Sequence, residues 1–109
     1  MKYRVFYTES AKQDLKDIFR YISCDLVEPE IAAKLTQRIM KEIRFLDEMP
    51  LRYRLYDEEP WRSRGLRSFP VSNYLVFYIA DERAVTVKVV RIMYGGRDIR
   101  KQLSEMQFE

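Results

Sequence analysis

The chain has 109 residues, enough for one modest hydrophobic core and too few for two independently folding units. A single cysteine, Cys24, and the absence of histidine exclude a disulfide framework, a multi-cysteine zinc site, Ser/His/Asp or Cys/His catalysis and the usual general base near neutral pH. A net charge of +3, a pI near 9.0 and 34% charged residues describe a mildly basic chain whose partners are set by where its charge lies rather than by the sum.

Tyr3, Val5 and Tyr7 alternate with Lys2, Arg4 and Phe6, the period of a half-buried opening strand. No apolar signal segment precedes them, and the longest uncharged apolar stretch, Phe69 to Ala80, is too short to cross a bilayer, so a cytoplasmic protein without membrane contact is expected. Ser10 is placed to cap a first helix, with Gln13 reaching back as in a capping box. Ala11, Leu15, Ile18, Ile22 and Leu26 follow at helical spacing, and the helix is predicted to run to about Asp25. Glu28-Pro29-Glu30 restarts the chain, since proline suits a first helical turn and acids suit the positive end of the helix dipole. Ala32, Leu35, Ile39, Ile43 and Leu46 form a second stripe that ends at Met49-Pro50. The connection is short, so the two helices are predicted to pair as an antiparallel hairpin covering one side of a sheet.

Leu51 to Arg64 lacks clean periodicity and reads as a long, partly ordered loop in which Trp61 either anchors an interface or pins the loop to a core. Gly65 to Val71, Tyr74 to Ala80 and Val85 to Met93 read as three consecutive antiparallel strands, with turns at Ser72-Asn73 and Asp81-Glu82-Arg83. Tyr74 to Ala80 is apolar on both faces, as a central strand covered on both sides would be. Ile99, Leu103 and Met106 fall on one side of a short terminal helix. The expected architecture is α+β: an N-terminal strand, a helical hairpin packed on an antiparallel sheet of about four strands, and a short C-terminal helix, in one domain spanning residues 1–109.

Positive charge gathers in the second half, with Arg62, Arg64 and Arg67 in one run and Arg91, Arg97, Arg100 and Lys101 in another. The last strand delivers Arg97 onto the Tyr94-Gly95-Gly96 corner, and a guanidinium there is suited to gripping phosphate or carboxylate. Gly95-Gly96 sits in no P-loop or dinucleotide pattern, so no cofactor is expected.

The succession Ala11-x-x-Asp14-Leu15-x-x-Ile18-x-x-Tyr21, the Ala32 to Leu46 stripe, Pro50, Gly65-Leu66-Arg67, Tyr74-Leu-Val-Phe-Tyr78 and Val89-Val-Arg-Ile92 followed by Tyr94-Gly-Gly-Arg97-Asp98 resembles the RelE/ParE superfamily of plasmid-stabilisation toxins. The resemblance implies a toxin of a type II toxin–antitoxin pair, silenced by a cognate antitoxin. Its target would be DNA gyrase in the ParE-like branch, or messenger RNA on the ribosome in the RelE-like branch. In the RelE-like branch an arginine follows the tyrosine that opens the central strand and helps bind the scissile phosphate, whereas Leu75 stands here. A tyrosine that serves as base in the terminal helix aligns with Leu103, and lysines of the first hairpin strand are replaced at best by Arg67. Arg97 matches the remaining phosphate-binding arginine. A nuclease would therefore use Arg97, Tyr94 and Arg67, and target binding would fall to Arg64, Arg67, Arg91, Tyr94, Arg97 and Trp61. A non-toxic protein-binding module is the third reading, and the residues favour a gyrase-directed inhibitor. Two apolar helix stripes and a two-sided sheet exceed what so small a core hides, which predicts an exposed groove for an antitoxin arm that folds on binding.

Overall fold

The computed structural model describes residues 2–96 and 98–105; Arg97 and Met106, both singled out in the sequence, lie outside the described residues. Strand β1 (Arg4–Tyr7) is followed by helix α1 (Glu9–Arg20), a π-helical turn (Tyr21–Asp25), helix α2 (Pro29–Arg44) and a 3₁₀ turn (Phe45–Asp47). Strands β2 (Leu66–Val71), β3 (Tyr74–Asp81) and β4 (Thr86–Tyr94) and helix α3 (Ile99–Ser104) complete the α+β architecture.

The cap of α1 is Thr8 rather than Ser10. The Thr8 N–H still bonds Val89 O in the sheet at 3.0 Å, while its hydroxyl accepts from Ala11 N at 3.1 Å and donates to Val90 O at 3.1 Å. One side chain thus ends the strand, opens the helix and fastens both to β4. At the far end the helix widens into the π turn, and Val27 closes the hairpin with a φ of 53°, a left-handed conformation that is costly for a β-branched residue. Pro29 occupies the first turn of α2 as its sequence predicts.

The sheet order is β1-β4-β3-β2, and the β2-β3-β4 meander is antiparallel. One pairing departs from expectation: β1 runs parallel to β4, Val5 opposite Val87. Since β2 and β4 share the direction of β1, the segment between α2 and β2 carries the chain back across the molecule, a reversal that no local spacing reveals. The sheet is therefore mixed.

β3 is covered on both faces, as its unbroken apolar run requires. Val76 and Tyr78 pack with Ile18, Ile22, Ile39 and Ile43 of the helical layer. Phe77, Leu75 and Ile79 face the other way, into a second core with Leu66, Val90, Met93, Trp61 and Leu103. The stretch before β2, expected as a partly ordered loop, is folded onto that second face: Leu55 bridges Arg67, Tyr56 N–H bonds Leu66 O at 2.7 Å, and Trp61 is only 6% exposed. Among the described residues, no helix is long and apolar enough to cross a membrane.

Candidate functional site

A groove of about 760 Å³ lies between the helical hairpin and the open end of the sheet. Ile18, Ile22 and Leu26 of the first helical segment, with Ile31 and Leu35 of α2, form its apolar wall. Ser72 and Asn73 of the β2–β3 turn, with Tyr74, Ile92 and Tyr94, form the other wall. Ring pairing orders the mouth: Tyr74 and Tyr94 meet edge to face at 5.7 Å between centroids. Gly95 N–H bonds Asn73 O at 2.8 Å, and a Cβ on Gly96 would lie 2.5 Å from the Tyr94 ring, so the glycine pair lets the corner fold back against that ring. Burial raises the Tyr74 phenol above its usual pKa, and the neighbouring Tyr21 and Tyr94 add to the rise.

Asp14, which lines the groove, is held in an ion pair. Asp14 of α1 accepts from Arg91 Nε at 2.8 Å, from Arg91 Nη2 at 3.1 Å and from the backbone N–H of Ile92 at 2.8 Å. The two side chains are 11% and 17% exposed. A bulge creates this arrangement: Phe77 pairs with Arg91 and Tyr78 with Val89, leaving Val90 unmatched. Val90 fills the second core and Arg91 is left to reach Asp14.

The residues singled out in the sequence are thus dispersed. Tyr94 stands at the groove, 47% exposed. Arg91 is held by Asp14 instead of facing outward. Trp61 is inside the second core, edge to face with Tyr56 at 6.0 Å, so it pins its segment to the sheet. Arg67 lies on β2, two strands from β4, and donates from Nη1 to Tyr53 O at 2.6 Å and Leu51 O at 3.4 Å. Arg64 is exposed in the turn before Gly65. Asp14, Tyr21 and Ile31 were not expected to line the groove; Tyr21 and Ile31 are apolar or aromatic residues outside the two helical stripes, and that position is the signal they carry.

Residues 5–99 match the family described as the ParE toxin of the type II toxin–antitoxin system, parDE. The chain belongs to that family. No curated protein sequence matches it. The fold of this ParE-family toxin is similar to that of the chromosomal ParDE system from P. aeruginosa, at 20% identity and TM-score 0.69, covering 85% of this chain and 96% of that one. It is similar to the RelBE2 toxin–antitoxin complex from Mycobacterium tuberculosis at 25% identity and TM-score 0.60, over 86% of this chain and 99% of that one. A RelE variant from E. coli in the free state matches at 14% identity and TM-score 0.67, over 97% of this chain and 95% of that one.

Two of the positions at which the resemblance to RelE-like toxins would place chemistry hold apolar side chains, while Arg67 stands at a third. Leu75 packs in the second core, and Leu103 is 1% exposed in the same cluster.

Proposed function

We propose that this ParE-family toxin arrests growth by binding a protein target in the cytoplasm, DNA gyrase, without hydrolysing nucleic acid, and that a cognate antitoxin silences it by laying an apolar arm in the groove beneath Tyr74 and Tyr94. The observation that carries the reading is Leu75, whose side chain belongs to the second core where an RNA-cleaving relative would hold an arginine. Cleavage through the RNA 2′-hydroxyl needs a base, donors for the charged transition state and an acid for the leaving oxygen. Burial raises the phenols of Tyr7, Tyr56, Tyr74 and Tyr78, and hydrogen bonds lower the carboxyls of Glu58 and Glu59, in each case away from neutral pH. Such groups are poorer bases near neutral pH than a tuned catalytic residue.

The groove supports the antitoxin part of the reading. Its apolar wall continues into exposed Tyr21, Leu26, Val27 and Ile31 at the tip of the hairpin, a surface that an amphipathic segment would cover. Inducing the chain alone in a bacterium, then measuring plasmid supercoiling and message integrity in the same cells, tests the whole proposal. Relaxed plasmid with intact messages is expected, and cut messages with normal supercoiling would contradict it.

A further inference from the structure

A second concavity lies at the opposite edge of the sheet from β1, away from the groove. It is a hollow of about 410 Å³ lined by Arg54, Leu55, Asp57, Arg62 and Arg67. The backbone assembles it: the antiparallel bridge between Leu55 and Arg67 and the bond from Tyr56 N–H to Leu66 O lay residues 54–57 along the outer edge of β2.

The charges there do not cancel. Asp57 is taken by Arg62, with Nη1 to Oδ1 at 3.2 Å. The neighbouring acids are turned elsewhere: Glu58 accepts from Arg100 Nε at 3.0 Å, and Glu59 accepts from the N–H of Ser63 at 2.8 Å and from its hydroxyl at 2.7 Å. Arg54 makes no hydrogen bond or ion pair with a described residue. Arg67 donates from Nη1 to two neutral carbonyl oxygens, which fixes its guanidinium at the rim without neutralising it. A held guanidinium loses less side-chain freedom on binding an oxyanion than a free one, and its remaining N–H groups keep the geometry of a fork.

The geometry points to a binding site for the phosphate backbone of a nucleic acid at Arg54, Arg62 and Arg67. An isolated carboxylate satisfies one guanidinium, whereas phosphates repeated along a strand can meet several along an open edge. The contact is to the repeating phosphates, which position a strand without reading its bases. The site does not depend on the gyrase reading, and it would let the toxin hold nucleic acid beside whichever protein it inhibits.

The test is fluorescence anisotropy of the full chain with a labelled 20-base-pair duplex, a single-stranded RNA and, as the acidic polypeptide, poly-glutamate, each over a series of salt concentrations. The variant R54A/R62A is compared with R83A, which removes an exposed charge at the β3–β4 turn, and circular dichroism checks that each is folded. We expect binding to duplex or RNA to weaken at least about tenfold in R54A/R62A, and the slope of log affinity against log salt to fall by about two, with much smaller changes in R83A. Absence of nucleic-acid binding by the unaltered chain, or equal binding and slope in R54A/R62A, would overturn the site. Tighter binding to poly-glutamate with the same arginine dependence would overturn its ligand. Supercoiling inhibition measured on the same preparations separates failure of this site from failure of the gyrase reading.

Discussion

Asp14 ties helix to sheet through a largely buried ion pair. Its carboxylate joins α1 to β4 through three hydrogen bonds and compensates a guanidinium largely removed from water. Removing one partner of such a pair leaves the other charge unmatched, so Asp14→Ala is expected to cost about 3 kcal/mol in chemical denaturation. D14A/R91M is expected to recover much of that loss; a double variant as unstable as the sum of the two single ones would show that the pair is not coupled. Tyr78 makes a different prediction. Burial pushes its phenol up to about 12, against the opposing effect of Arg67, while its hydroxyl donates to Pro50 O at 2.6 Å. Because the folded pKa is raised, the stability it contributes is whole below pH 10 and is lost as pH climbs from 10 to about 12, at up to about 1.4 kcal/mol per pH unit. In denaturant titrations from pH 9.5 to 11.5, Tyr78→Phe should be less stable at the start and shallower in slope. An unchanged slope would locate the titration elsewhere.

At the scale of elements, what the sequence made legible was local. Stripes at helical spacing set out both helices, Pro29 and Pro50 bounded the second, and the unbroken run from Tyr74 foretold a strand covered on both faces. The features it hid depend on distant partners. Thr8 caps α1 because β4 accepts its hydroxyl, Arg91 turns inward because a bulge at Val90 releases it toward Asp14, and β1 pairs parallel because of a chain reversal far downstream. Whether Trp61 anchors an interface or pins its own segment depends on the second core, most of which lies far from it in sequence. Of the candidate site, Tyr94 stands at the groove, while Arg91 is held by Asp14 and Arg67 by the carbonyls of Tyr53 and Leu51, partners that their spacing does not encode. The last element, α3, is six residues long and is attached to the sheet through Leu103 and Ile99. Leu103→Ala should cost about 2–4 kcal/mol and speed hydrogen exchange across α3 before the central strands; uniform exchange would show that α3 opens only with the whole fold.

For the molecule as a whole, one sheet is covered by two unlike layers. The helical layer buries a continuous core yet leaves Phe19, Tyr21, Leu26, Val27 and Ile31 exposed around the first helix and the tip of the hairpin. A partner that covers this surface stabilises the folded state by mass action, so the complex with the antitoxin should melt well above the isolated toxin. Ile31→Asp should reduce that difference; equal melting of free and bound toxin would place the partner elsewhere. The second layer closes the opposite face with Trp61, Tyr56 and α3, and it places leucines where an RNA-cleaving relative would hold an arginine and a tyrosine. Those leucines underlie the central claim of inhibition without hydrolysis. Its most direct test is DNA supercoiling by purified gyrase in the presence of the purified toxin, with and without antitoxin. Supercoiling is expected to stop as toxin is added and to return with antitoxin, and full supercoiling at large excess of folded toxin would rule gyrase out as the target.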